Sequence, residues 1–276
     1  MPQITVVLPT WNRAKWLKTS IESVLSQTFQ DFELIVVDDA STDNTDEILE
    51  SFSGKIRTIF LNENLGVSAA RNKAILQSDS KWISFLDSDD YWHAEKLEKQ
   101  IKQTRLFPKY HIHFTDEIWI RNGIRVNPKN KHRKRQGWIF RPSLALCLMA
   151  PSTVMLRRGL LERHGMFDEA LPVCEDYDLW LRLTAYHPVA LLNEKLMTRQ
   201  GGHSDQLSRK LWGIDRFRVH SLQKILSEEN LRFEDRSAAI RMIRKKCEIL
   251  IKGFRNRGNM EEIRVYRNIS QKLSYI

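Results

Sequence analysis

Asp87 and Asp89 stand two positions apart in Phe85-Leu86-Asp87-Ser88-Asp89-Asp90, where the apolar run Trp82–Leu86 gives way to acids. In extended chain, residues i and i+2 point the same way, so the two carboxylates can face one point. Such oxygens suit Mg²⁺ or Mn²⁺ shared with the phosphates of a substrate. An acidic turn capping the helix that begins near His93 is the other reading of the same residues. A second pair, Asp38-Asp39 within Val36–Thr42, also follows an apolar run, and a carboxylate there can accept the N3–H of a uracil ring or contact a ribose hydroxyl. Asp43 or Thr45 then caps the next helix. In Asn64-Leu65-Gly66-Val67-Ser68-Ala69-Ala70-Arg71-Asn72, small residues open a helix whose free N–H groups favour an anion. Arg71 either reaches a diphosphate or base, or pairs with one of the many acids of this half. Glu175 and Asp176, in Cys174–Trp180, begin an amphipathic helix; acids stabilise a helix start in any case, and one that projects into a crevice is a usable general base.

Positioning these residues requires regular elements, and the chain supplies them in alternation. Ile4–Leu8, halted by Pro9, reads as a strand, and Leu17, Ile21, Val24 and Leu25 fall at helical spacing behind a cap at Asn12. Phe32–Val37, Ile56–Leu61 and Trp82–Leu86 repeat the strand signal, separated by the helix of Ile48, Leu49 and Phe52 and by the helix opening at Gly66. Four βα units predict an α/β fold with a doubly wound, mostly parallel sheet, whose ligands bind beyond the carboxyl ends of the strands. His111–Val126 alternates around Asn122-Gly123, a tight hairpin signal. Ser152–Leu156 is a further strand and Glu175–Tyr186 a helix. From Gln206 the pattern is helical to the end, with Ile240, Ile243, Cys247, Leu250 and Phe254, then Ile263, Tyr266 and Ile269, at threes and fours around a break at Arg257-Gly258: an appended helical hairpin.

Composition bounds the class. At 276 residues, 42% hydrophobic and 28% charged, the chain is an ordinary globular one, which excludes a disordered or collagen-like protein. The net charge of +10 is uneven: −6 over residues 1–100, +9 over 101–150, −2 over 151–206 and +9 over 207–276. An acidic front half suits a bound cation, and basic flanks suit an anionic partner. Cys147, Cys174 and Cys247 have no metal or disulfide spacing and read as buried thiols. No apolar run reaches the roughly 18–20 residues that cross a bilayer. The first ten residues lack a basic leader, so a cytoplasmic chain is expected.

In order, PTWNR at Pro9–Arg13, VVDDAST at Val36–Thr42, NLGVSAARN at Asn64–Asn72, FLDSDD at Phe85–Asp90 and CEDYDLWLRL at Cys174–Leu183 resemble the inverting glycosyltransferases of family 2, which have the nucleotide-diphospho-sugar transferase (GT-A) fold. The resemblance covers roughly residues 1–210. It implies a GT-A domain over 1–205, with a nucleotide-sugar-binding half at 1–105 and an acceptor half at 106–205, followed by a basic helical extension at 206–276. It also implies that Thr10, Asp38 and Asp39 line the nucleotide pocket and that Arg71 contacts base or phosphate. Asp87 and Asp89 match the family's DxD, holding ribose and a divalent cation, Mn²⁺ or Mg²⁺. Asp176 matches the general base, Glu175 orients acceptor or base, and His203, in Gly201–Ser208, is a further metal or phosphate contact. The implied partners are a nucleotide-sugar donor, a UDP-sugar first among them, and a glycan or glycolipid acceptor of the cell envelope.

The basic run Arg125, Lys129, Lys131, Arg133, Lys134 and Arg135 is a solvated face or a contact with anionic lipid headgroups at the inner face of the plasma membrane; the C-terminal helices share that option, or instead mediate self-association or cover the acceptor. Two rivals belong to other classes. A sugar nucleotidyltransferase should carry a Gly-rich phosphate loop after its first strand, where Pro9-Thr10-Trp11-Asn12 stands instead. A basic scaffold or RNA-binding protein would explain the pI near 9.6, but the stacking-aromatic signature of such proteins is absent and no nucleic acid is expected.

Overall fold

A computed structural model describes residues 1–202 and 211–273. Its first half alternates β1 (Ile4–Thr10), α1 (Ala14–Leu25), β2 (Phe32–Asp38), α2 (Thr45–Ser51), β3 (Arg57–Phe60), α3 (Val67–Leu76) and β4 (Trp82–Phe85). These four strands are parallel in the order β3-β2-β1-β4. Continuous apolar runs form them because both faces are covered. Ile4, Val6 and Leu8 pack with Leu17, Ile21 and Val24 of α1 on one face, while Val7, Ile35 and Val37 meet Ala70 and Ala74 of α3 on the other. Each large aliphatic side chain buried in this way stabilises the fold by about 1.5–3 kcal/mol.

Pro9 does not end β1. The strand continues to Thr10 because the β1–β4 pairing has already stopped at Val7 and Phe85, so the missing N–H of Pro9 forfeits no ladder bond on that side.

Beyond β4 the sheet turns mixed. Up to residue 201 the strands and α-helices that follow are β5 (Tyr91–Trp92), α4 (Lys96–Leu106), β6 (Ile112–Arg121), β7 (Ile124–Val126), α5 (Phe140–Ser143), β8 (Val154–Arg157), α6 (Arg158–His164), α7 (Glu175–Thr184) and β9 (Val189–Gly201). The path continues β4-β8-β6-β9-β5, with β8 antiparallel to both β4 and β6, and β7 hairpins onto β6 through Asn122 and Gly123, both at positive φ. Two antiparallel steps leave β6 running in the same direction as β4, so its carboxyl end lies toward the same side of the sheet. β9 runs parallel to β6 across a register shift at Asp116 and closes on β5. The fold is the α/β, GT-A-like one expected, with its parallel part confined to the first four strands and the β6–β9 pair.

Among the described residues the C-terminal part forms three helices, α8 (Asp215–Leu226), α9 (Phe233–Arg255) and α10 (Met260–Lys272). α9 and α10 are the expected hairpin, broken around Gly258. Ile243, Cys247, Leu250 and Phe254 share one apolar cluster with Leu144, Tyr177 and Leu181, so these helices are packed against α7 through common core. Lys246 pins the joint: its ammonium donates to the Ala145 carbonyl at 3.0 Å and to Asp215 at 2.8 Å. Of the three cysteines, Cys174 and Cys247 are buried, while Cys147 is half-buried.

Candidate active site

The carboxyl ends of β1, β2 and β4 lie side by side, and each hands its next residues to that end of the sheet. Thr10 closes β1; it is buried, and its hydroxyl has no hydrogen-bond partner among the described residues. Asp38 closes β2, where its Oδ1 accepts the Ser41 N–H at 3.2 Å and hydroxyl at 2.5 Å. Burial raises the Asp38 pKa, against the lowering effect of the Ser41 bonds.

Asp39 is held differently. Its two oxygens accept the N–H groups of Leu65 and Gly66, each at 2.8 Å, at the start of α3. The anion favoured by that helix start is therefore the protein's own carboxylate. Gly66 sits at φ 91, a conformation that side-chain-bearing residues rarely adopt.

The expected cap at Asn12 is a correction. Asn12 has φ 51, and its side-chain oxygen accepts the Thr42 N–H at 2.8 Å. The first turn of α1 is served instead by Asp43, which accepts the Ala14 N–H at 3.1 Å with one oxygen and the Thr45 N–H and hydroxyl with the other. One aspartate thus caps two helices and fixes the loops after β1 and β2 to each other.

The segment after β4 is pinned from three directions. Asp87 N–H donates to the Ser152 hydroxyl at 3.1 Å, and that hydroxyl donates to Asp90 Oδ2 at 2.7 Å. Asp90 Oδ1 accepts the Gln200 N–H of β9 at 3.1 Å, and Ser20 of α1 donates to the Ser88 and Asp90 carbonyls. Burial, then the charges of Asp89 and Asp87, push the Asp90 carboxyl well up. Asp90 is therefore a structural member of the turn, while Asp87 and Asp89 keep partly open faces.

Arg71 joins the two halves. Only 2% exposed, it donates through Nη2 to Asp87 at 2.6 Å and through Nη1 to Glu175 at 2.8 Å, with its guanidinium 4.9 Å from the centre of the Phe167 ring. α3 carries so long a polar residue inward because both its faces are covered; residues 68–72 are all buried. Of the two readings open for Arg71, the geometry supports the ion pair. Desolvation alone would lower its pKa, but Asp87 and Glu175 outweigh that and hold it charged. Burial first, then Asp176, raises the Glu175 pKa, with Arg71 opposing.

Glu175 and Asp176 enter α7 through Cys174, whose φ of 65 is unusual for a residue with a side chain and turns the chain sharply into the helix. Asp176 is half-exposed. Its Oδ1 accepts the Tyr177 N–H at 2.6 Å and its Oδ2 the Cys147 thiol at 3.3 Å.

Arg199 on β9 escaped the sequence reading. Its surroundings desolvate it, yet Asp90, Glu117, Asp87 and Asp176 together raise its pKa, and its side chain stays open to solvent. Asp87 and Asp176, from separate stretches of the chain, are both near enough for their charges to act on it. No local pattern marks an arginine in a strand as such a residue. His203 lies outside the described residues, as does the expected boundary at 205. Gly202, just before them, approaches the hairpin so closely that a Cβ would fall 2.3 Å from Asn122 Oδ1.

The site donors suited to a metal are carboxylate oxygens of Asp87 and Asp89, hard ligands appropriate to Mg²⁺ or Mn²⁺. Among the described residues no group of three or more His, Cys, Asp or Glu side chains could hold an ion by itself. The extended-chain geometry expected for the pair is a correction: Asp87–Asp90 is a turn, closed by the Asp90 N–H on the Asp87 carbonyl at 2.9 Å. One or two carboxylates are what Mg²⁺ commonly takes from a protein, with substrate phosphates and water completing its shell.

Comparison with known proteins agrees with this architecture. The profile of Glycosyl transferase family 2 matches residues 5–163. The chain is 34% identical over 194 residues to the UDP-Glc:alpha-D-GlcNAc-diphosphoundecaprenol beta-1,3-glucosyltransferase WfgD of Escherichia coli, covering 69% of this chain and 73% of that protein. An uncharacterized glycosyltransferase of Rickettsia conorii is 30% identical over 219 residues, covering 75% of this chain; the chain spans only 35% of that relative's length. The crystal structure of Staphylococcus aureus TarS residues 1–349 in complex with UDP-GlcNAc superposes with a TM-score of 0.72 at 18% identity, covering 99% of this chain and 92% of that one.

Proposed function

Because the chain belongs to glycosyl transferase family 2, we propose that it transfers a sugar from a nucleotide-diphospho-sugar, a UDP-sugar first among them, to a hydroxyl of a cell-envelope glycan or glycolipid by a single inverting displacement. The observation that carries this reading is the Arg71 tie, which brings Asp87 of the donor half to Glu175 of α7 and sets Asp176 beside them. Thr10, Asp38 and Asp39 form the wall that receives the nucleotide. The unpartnered Thr10 hydroxyl is a buried polar group that a ligand would satisfy. Asp39, with one bond to each oxygen, retains acceptor capacity for a uracil N3–H.

Asp87 and Asp89 would hold the divalent cation, Mn²⁺ or Mg²⁺, which when bound neutralises charge on the departing nucleoside diphosphate. Arg199, on which the charges of Asp87 and Asp176 act, adds a fixed positive charge to the region. Asp176 draws the proton from the acceptor hydroxyl as that oxygen attacks the anomeric carbon from the face opposite the diphosphate. Glu175, fixed by Arg71, orients the acceptor side, and no nucleophilic residue is needed. The test is a screen of purified protein for hydrolysis of a panel of nucleotide-sugars with and without Mn²⁺. One donor is expected to be hydrolysed in a Mn²⁺-dependent way; turnover of none, with the protein folded, would contradict the reading.

The acceptor side adds a proposal about location. Arg125, Lys129, Lys131, Arg133 and Arg135 are exposed around the β6–β7 hairpin, on the side of the sheet toward which the site opens, beside exposed Ile124 and Trp138. Lys134, named with them from sequence, is a correction: it is turned inward to Glu117 at 3.1 Å, with both side chains under 10% exposed. No acid occurs between Glu117 and Glu162. Among the described residues no helix is long and apolar enough to cross a membrane. The five exposed cations would hold the protein at an anionic bilayer, at about 1 kcal/mol per residue near the surface. Flotation with vesicles containing anionic lipid is expected to carry the protein up at low salt and to release it at high salt. Equal flotation with neutral vesicles, or none with either, would sink this assignment.

A further inference from the structure

Cys147 lies outside every motif of the sequence and has no part in the chemistry described so far, yet its sulfur touches the proposed base. It belongs to the apolar stretch 144–150, which α7 grips at three points. The Tyr177 hydroxyl donates to the Leu144 carbonyl at 2.7 Å, the Trp180 indole N–H donates to the Met149 carbonyl at 2.9 Å, and the Cys147 thiol donates to Asp176 Oδ2 at 3.3 Å. We propose that Cys147 is a positioning residue for the transfer reaction: its thiol, together with the Tyr177 N–H on Oδ1, fixes the plane of the Asp176 carboxylate toward the acceptor hydroxyl.

The proposal rests on the reading of Asp176 as base. Burial, and then the Asp176 charge, push the Cys147 thiol well up, so it remains a protonated donor at neutral pH. A thiol is a weak donor, so it orients a carboxylate without holding it tightly. The same sulfur lies 3.3 Å from the Met149 carbonyl. Its single proton thus has a second acceptor at equal distance, and can turn there as the acceptor hydroxyl takes its place on Oδ2. No proton leaves Cys147 in this exchange.

Steady-state kinetics of Cys147→Ala, Cys147→Ser and Asp176→Asn, and of Cys147→Ala combined with Asp176→Asn, test the proposal. Cys147→Ala should lower kcat about three- to tenfold, the scale of one ordinary hydrogen bond, with the donor KM unchanged. Cys147→Ser, which keeps a donor, should recover most of that loss. On the Asp176→Asn background Cys147→Ala should cost nothing further. If Cys147→Ala fails to fold, Cys147→Val, which also lacks a donor, takes its place in each comparison. Wild-type kcat in the donorless variant, a serine variant no faster than it, or an undiminished loss on the Asp176→Asn background would each overturn the proposal. Wild-type turnover by Asp176→Asn alone would instead show that the base was wrongly assigned, a separate failure.

Discussion

Asp176→Asn is expected to leave donor binding intact and to lower kcat by about 10²–10⁴-fold, the range of a positioned general base. The substitution keeps the shape of the side chain. An amide oxygen can still accept the Tyr177 N–H that Asp176 Oδ1 now accepts, so the start of α7 should stand. On the proposed assignment, what disappears is the capacity to take a proton from the attacking hydroxyl. An interaction made only in the transition state lowers kcat and kcat/KM equally when removed, and the donor KM should stay where it is. Turnover near the wild-type rate would mean that another group deprotonates the acceptor. A parallel fall in donor affinity would instead mean that Asp176 helps bind the nucleotide. Glu175 is not expected to substitute, because Arg71 engages its Oε1 and only a tenth of its side chain is exposed.

The parts of this site that were legible in the sequence are those written in local pattern. Apolar runs in the first hundred residues mark β1 to β4 because a strand covered on both faces must be apolar throughout. Asp38 and Asp87 follow such runs, so their place at the mouth of the crevice could be read before any coordinates. The hairpin at Asn122-Gly123 and the stripe of α9 were equally plain, since turn chemistry and helical period are local signals.

What stayed hidden depends on partners distant in sequence. Nothing near Arg71 says that it meets Glu175, 104 residues away. Asp43 takes the cap from Asn12 through a contact between two loops, which neither loop announces. Lys134 sits in a basic run as if solvated, and the approach of Glu117 and the Thr115 carbonyl turns it inward. Arg199 and Cys147 belong to no motif; β9 and the segment before β8 carry them to the crevice. The mixed half of the sheet escaped for the same reason, since β9 reaches β6 across a bulge that no alternation of residue type encodes.

The metal contact carries the second large expected effect. Asp87 already gives one oxygen to Arg71 at 2.6 Å. Asp89 lies in the same pinned turn and is partly exposed, and an ion held by the proposed pair would depend on its carboxylate as well. Asp89→Ala shortens the side chain without touching the bonds by which Ser20, Ser152 and Gln200 hold Asp90, so the turn should persist. If Asp89 holds the ion as proposed, its loss should weaken metal affinity by at least about 100-fold, the upper end of the loss seen when only a supporting residue is removed. Nucleotide binding should lose its dependence on the ion together with it.

Titration of the protein with UDP, followed by calorimetry in the presence and absence of Mn²⁺, is the most direct measurement of whether these carboxylates form one donor site. The wild-type chain should bind UDP tightly only with Mn²⁺, and Asp89→Ala should bind it weakly and equally in both conditions. Binding by the wild type that ignores Mn²⁺, or a Mn²⁺ enhancement that survives in Asp89→Ala, would contradict the account.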